Sequence, residues 1–245
     1  MRYADCHIHV MDYIQPDPVL SFASAQGMML FSVSTNAKTA ERGLEQRERF
    51  HNTLKLFVGI HPSEATIESQ PEVISKFAKR ADGIGEIGLD PRYSEVSEKS
   101  TQMRVFLDQL RLAETSRKPV QVHTRDAEGT CIGSLASYEL PRVLLHWFEG
   151  EPLLNEAAGR GYYVSVGPAL LYSKILARIA KAYPLDLLLT ESDGPVSFRA
   201  LGDAGGPYLV PSVVFRLSEI LRMDYLDLSA KLVKNAETFL FRAKG

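Results

Sequence analysis

The sequence predicts an α/β fold: a (β/α)8 TIM barrel, one domain over residues 1–245, with its active site at the C-terminal ends of the strands. Two observations lead there. Eight short β-branched or aromatic runs alternate with helical patterns along 245 residues, and five of the six histidines fall within or at the C-terminal ends of those runs. A doubly wound open sheet would show the same alternation, so the position of the polar residues decides between them.

The first run, Tyr3 to Val10, carries Asp5, His7 and His9. The most apolar early stretch, Val19 to Val33, is broken by Ser21, Ser24, Gln26, Gly27 and Ser32, which leaves it short of a membrane-spanning helix; its end, Met28 to Thr35, is the second run. The charged segment ERGLEQRERF reads as a helix, and His51 beyond its C-terminus is favoured there by the helix dipole. Leu54 to His61 ends in GIHP, and Gly83 to Asp90 contains Glu86. Between Ser100 and Lys118, Met103, Phe106, Leu107 and Leu110 share one helical face before Pro119 ends the pattern. Val120 to Arg125 carries His123, and Arg142 to Phe148 carries His146. Tyr162 to Val166 follows, then Leu187 to Ser192, which leads into TESDGP with Asp193. Val213, Leu217, Ile220 and Leu221 mark a later helix.

Lys plus Arg number 28 against 30 Asp plus Glu, a formal charge of −2, too balanced for a protein that coats nucleic acid through its overall field. A local basic groove is compatible with that balance. Cys6 and Cys131 form no CxxC pair, and MRYADCHIHV lacks the layout of a signal peptide, so a cytoplasmic location is expected. At this length one fold buries roughly 70–75% of the surface of its unfolded chain. A metal site in it is then expected to serve function rather than folding.

Residues two apart on a strand share a face. His7 and His9 are therefore expected to point into the barrel, with Asp5 one layer deeper and able to orient a metal-bound imidazole, while Cys6 and Ile8 face the helices. Glu86 projects inward, with Asp90 on its parity, and Asp193 lies inward above Glu191. With His123 and His146, four histidines and two carboxylates converge on one rim, enough for two adjacent divalent ions with positions open to water and substrate. A lone histidine at a strand end is most often a hydrogen-bonded rim residue, and a lone Asp before Gly-Pro a turn former. Six such groups desolvated together without a cation would be costly, which favours the metal reading.

Gly83, Gly85 and Gly88 match GxGxxG, but they fall inside the strand and no helix begins there, so they read as close-packing positions around Glu86 rather than a dinucleotide site. His61 is either a contact to a substrate oxygen or a histidine capping its turn. Arg125, beyond His123, is either a phosphate clamp or a solvated loop arginine. Trp147 and Phe148 are either a base-stacking platform or rim packing. Neither cysteine has a basic neighbour arranged to activate it, and no GxSxG elbow is present, so covalent catalysis is not expected.

The segments DCHIH, GIHP, GEIGLD, QVHTRDA, LLHWFEG, LTESDGP and NAETFLF, in that order from residue 3 to about residue 241, resemble the TatD-type metal-dependent deoxyribonucleases of the amidohydrolase superfamily. The resemblance implies a TIM barrel in which one ion is held by His7, His9, Glu86 and Asp193, and a second by Glu86, His123 and His146. It also implies dependence on magnesium, whereas four imidazoles suit zinc, manganese, nickel or iron better. Zn2+, Ni2+ or Fe2+ as the bound ion, with Mg2+ or Mn2+ supporting activity, is the resulting expectation. Two stretches depart from the family pattern: PRY after GEIGLD, and VSFRALGDAGGPYLVP after ESDGP, where Arg199 is the only cation.

The function expected on these grounds is hydrolysis of phosphodiester bonds at single-stranded DNA ends by metal-activated water. Asp193 is the expected general base and Glu86 the shared ligand, with His61, Arg92 and Arg125 on substrate phosphate. DNA is the expected partner, and no membrane is. One alternative is an amidohydrolase acting on a small ester, lactone or amide, which the same barrel supports. Another is a catalytically silent metal-binding scaffold, against which stands a full set of competent ligand residues.

Overall fold

A computed structural model of the chain describes residues 2–69, 71–198, 200 and 202–240; Arg199 lies outside the described residues. Eight strands form one parallel sheet in sequence order: β1 (Tyr3–Ile8), β2 (Met28–Val33), β3 (Leu54–Val58), β4 (Gly83–Gly88), β5 (Val120–His123), β6 (Val143–Leu145), β7 (Tyr163–Val166) and β8 (Leu188–Thr190). Helices α1 (Pro16–Ala25), α2 (Ala37–Arg49), α3 (Pro71–Ala78), α4 (Lys99–Ser116), α5 (Glu128–Leu135), α6 (Leu154–Gly159) and α7 (Lys174–Ala182) connect successive strands. After β8 come a short antiparallel hairpin, β9 (Ser197–Phe198) with β10 (Asp203–Ala204), and then α8 (Val210–Leu221) and α9 (Tyr225–Leu240). No helix among the described residues is long and apolar enough to cross a membrane.

Each predicted run contains a strand, but most strands stop before the run does. Leu54 to His61, for instance, is paired only as far as Val58. The residues beyond leave the ladder and supply the loops that carry polar groups. Local chemistry sets the helix boundaries as well: the Asn36 side chain accepts the Thr39 N–H at 3.1 Å to start α2, and Pro119 follows the left-handed Arg117 (φ 51°) that closes α4.

The seam between β8 and β1 is bridged by hydrogen bonds that bring the two ends of the sheet together. Thr190 Oγ1 donates to Ala4 O (2.7 Å), Asp193 N to His7 O (2.9 Å) and His9 N to Gly194 O (2.8 Å). Outside this nearly closed barrel, Leu56, Val58, Ile84, Val122, Leu145 and Val164 pack against helix residues such as Leu44, Phe106, Ile132 and Leu217. Inside it, Ala4, Met29, Phe31, Phe57, Leu144, Tyr163 and Leu189 form a separate apolar cluster with Phe239 of α9. Phe239 lies 5.3 Å from the ring of Tyr163 and 6.0 Å from that of Phe31. Large rings fill the interior on the side of the strand starts, leaving the polar layer at the strand ends.

Two expectations fail here. Ile8 faces the helices as expected, but Cys6 belongs to the interior cluster. The pairing of β1 with β2 shifts between Asp5 and Ile8, so the two-residue alternation does not run unbroken from Asp5 to His9. Asp5 consequently serves the seam: its Oδ1 accepts the Ser192 N–H at 2.8 Å, and it does not orient an imidazole.

Candidate metal centre

Glu86 sits at the centre of the strand-end polar layer, fully buried in β4. The glycines beside it allow that position. A Cβ on Gly83 would lie 2.1 Å from the Phe57 ring and one on Gly85 2.9 Å from Gln121 Cβ. Gly88, at φ +147°, would place a Cβ 2.0 Å from His123 O. Strands β3, β4 and β5 could not approach one another with side chains there, which is the close-packing role expected of this GxGxxG.

Four ligand-type atoms converge on one point. Glu86 Oε2 lies 3.7 Å from His7 Nε2 and 3.4 Å from His9 Nε2, and Asp193 Oδ1 lies at the same two distances from those nitrogens. Atoms spaced this way can share one cation at the roughly 2.0–2.2 Å bond lengths usual for imidazole and carboxylate ligands. His7 Nε2, Glu86 Oε2 and Asp193 Oδ1 are buried without a hydrogen-bond partner. Three orphaned polar atoms facing one another are costly in the bare protein, and a shared cation would satisfy them all.

The other oxygen of Glu86 faces a second group. Oε1 is 2.8 Å from both His123 Nδ1 and His146 Nε2, and 3.7 Å from His61 Nε2. His123 and His146 approach each other at 3.3 Å. The structure thus brings together every residue that the sequence nominated as a ligand, with Glu86 between the two groups. It also adds His61 to the second.

Partners of the imidazoles that sequence reasoning did not assign are equally specific. His7 Nδ1 donates to Gln121 Oε1 at 2.7 Å, which leaves its Nε2 lone pair facing the first cluster. Asp90 Oδ2 holds His123 Nε2 at 2.9 Å, and Glu191 Oε2 lies 3.7 Å from His146 Nδ1. The ring of His146 stacks on that of His7, centroids 3.7 Å apart. Asp90 shared the inward parity of Glu86, and Gln121 stands two residues before His123; those were the available signals. Because such partners fix ring orientation, Asp90→Asn is expected to weaken metal binding by about 10–100-fold while the fold is retained. Metal titration followed by calorimetry checks this, and unchanged affinity would remove Asp90 from the account.

Charge in the cluster is tightly organised. Burial opposes ionisation of Glu86, yet the imidazoles of His61, His146 and His7 and the hydrogen bond from His123 hold it well below the usual carboxylate range. Asp193 is held down in the same way against its burial, by His9, His146 and His7. Burial also opposes a charge on His9, but the contact with Asp193 and the charges of Glu86 and Asp193 outweigh it and raise its pKa to about 9. Burial lowers His7 to about 3, leaving it neutral. Burial opposes a charge on His146 too, but Glu86 and Glu191 outweigh it and hold its pKa well above the usual imidazole range. A metal ligand must be unprotonated, so binding an ion through His9 or His146 at neutral pH would expel a proton. Affinity for a divalent ion is therefore expected to rise with pH above neutrality, by about tenfold per pH unit for each proton displaced. Calorimetry in buffers of different ionisation enthalpy would count the protons, and uptake without proton release would contradict the assignment.

The centre opens into a cleft of about 770 Å³. Trp147 (φ 41°) and Asp193 (φ 50°), left-handed residues that follow β6 and β8, line it. Trp147 stacks on Phe198 at 5.4 Å, whereas Phe148 is fully buried as packing. His61 caps the turn after β3, its Nδ1 accepting the Ser63 N–H at 3.1 Å, and also faces Glu86. Arg92 and Arg125 both line the cleft. Arg92 is tied to Asp126 at 2.6 Å, and Arg125 is exposed with no ion-pair partner among the described residues. Asp12, Glu64, Asp126, Glu128 and Glu149 lie along the same mouth.

An eight-stranded parallel barrel with an imidazole and carboxylate cluster at its strand ends fits the class of metal-dependent hydrolases. The profile of the TatD related DNase family matches residues 4–241, and the chain belongs to that family. It is 31% identical to the putative deoxyribonuclease TATDN3 of Mus musculus over 211 residues, 78% of this chain and 72% of that protein. An uncharacterized metal-dependent hydrolase of Methanocaldococcus jannaschii is 25% identical over 99% of this chain and 98% of its own. The crystal structure of YJJV, a TatD homolog from Escherichia coli K12, superposes with a TM-score of 0.85 at 25% identity over 98% of each chain.

Proposed function

We propose that this TatD-type hydrolase uses two divalent ions to cleave phosphodiester bonds at the ends of single-stranded DNA. The observation that carries the reading is the placement of Glu86, with Oε2 facing His7 and His9 and Oε1 facing His123 and His146. Such a carboxylate fits a ligand shared between two neighbouring ions. When bound, divalent ions would supply Lewis acidity, lowering the pKa of water and stabilising charge on phosphate oxygens.

The protein's own groups supply the rest. His7 is fixed by Gln121 and His123 by Asp90, so the donor set is oriented before substrate arrives. Asp193 lies at the floor of the cleft and takes the proton of the attacking water; its carboxylate is ionised in the resting protein and so competent as a base. Arg125, unpaired at the mouth, draws a phosphate into line, and His61 orients one of its oxygens.

The test is hydrolysis of end-labelled single-stranded DNA by metal-stripped protein, resupplied separately with Mg2+, Mn2+ and Zn2+. Cleavage restored by at least one ion, progressing from one end, is the expected result. Intact DNA at full metal occupancy would overturn the nuclease reading and turn the search to small esters, lactones and amides.

A further inference from the structure

The cleft is polarised in an unusual sense for an enzyme that meets a polyanion. Its floor holds the ligand clusters, but its mouth carries five carboxylates and two guanidinium groups among the described residues, and one of those, Arg92, is already neutralised by Asp126. Affinity for a long single strand comes from a track of Lys and Arg with interleaved aromatic rings. Among the described residues of the mouth, Arg125 is the single cation without an ion-pair partner, and Glu128 and Glu149 share the mouth with it. A phosphate that reaches the floor is favoured, whereas phosphates lying across the rim meet like charge.

We propose that the site engages only the last one or two nucleotides of a strand and leaves the remainder unheld, so that di- and trinucleotides are substrates as good as long single strands. This rests on the nuclease reading above and specifies the substrate class within it. The footprint is short because the described residues of the rim offer one unpaired clamp among five carboxylates, so chain length beyond it meets repulsion. The same rim predicts weak salt dependence, since each neutralised phosphate of a single strand contributes a slope of only about 0.7 to log affinity against log salt.

Two readouts test it: kcat/KM per end for the trimer dT3 and the 20-mer dT20, and binding of the same oligomers, fluorescently labelled, to Asp193→Asn protein across a series of KCl concentrations. The expected kcat/KM values agree within about tenfold, with salt slopes of about 0.7–1.4, corresponding to one or two phosphates. Glu128→Lys with Glu149→Lys is expected to tighten dT20 by about tenfold or more and steepen its slope, with a smaller gain for dT3; no gain for dT20 would contradict rim repulsion. Preference for dT20 by more than about tenfold, with a slope of about 2 or above, would overturn the short footprint and leave the nuclease reading standing. Cleavage of neither oligomer by the wild-type protein with any of the three ions would overturn both.

Discussion

Asp193→Asn is expected to keep its bound metal and lose about 10²–10⁴-fold in kcat, the usual contribution of a positioned general base. The carboxamide retains an oxygen where Asp193 Oδ1 stands, 3.4 Å from His9 and 3.7 Å from His7, so the first cluster keeps four donors. An amide cannot take the proton of the attacking water. The change falls on kcat, with KM little altered, because substrate is held by other groups. Metal content and turnover measured on the same preparation separate the two roles. Turnover near wild type with full occupancy would exclude Asp193 as the base, and loss of metal would make it a ligand before anything else.

Removing the metal is expected to lower the melting temperature by about 8–16 °C. Saturation at about 1,000 times Kd stabilises a fold by about 4.1 kcal/mol, and each kcal/mol shifts the midpoint of a protein of this size by about 2–4 °C. The physical origin is visible in the centre: His7 Nε2, Glu86 Oε2 and Asp193 Oδ1 lose their common partner while still buried. Scanning calorimetry of chelated and reloaded protein measures the shift. Identical melting temperatures at confirmed saturation would mean that metal binds elsewhere.

The strand order and the gathering of His7, His9, Glu86, His123, His146 and Asp193 at the strand ends could be read from the sequence because both follow from periodicity. Eight apolar runs mark eight strands, and polar residues at their C-terminal ends must share one face of a parallel barrel. Asp5 shows where that logic stops. The register shift in β1 changes which residues face inward, and the pattern of side chains gives no sign of it, so the orienting partner of His7 comes from Gln121 on β5 instead. Gln121 and Asp90 act across neighbouring strands, over distances that sequence spacing does not encode.

The cleft mouth was less legible still. Arg92 reads as a free cation in PRY, yet its partner Asp126 comes from the loop after β5. Asp12, Glu64, Glu128 and Glu149 come from four other places in the chain, and only folding assembles them into one acidic rim. Net charge gave no warning, because a formal −2 over the whole chain is silent about where the carboxylates gather.

On the proposed reading, Glu86 joins two metal sites and hydrolysis depends on both. Metal content by mass spectrometry and cleavage of single-stranded DNA, measured together for wild-type and Glu86→Ala protein, test it most directly. Two ions per wild-type chain, loss of at least one in the variant, and no metal-restored cleavage by it are the expected results. A Glu86→Ala protein that binds two ions and cleaves DNA at the wild-type rate would contradict it.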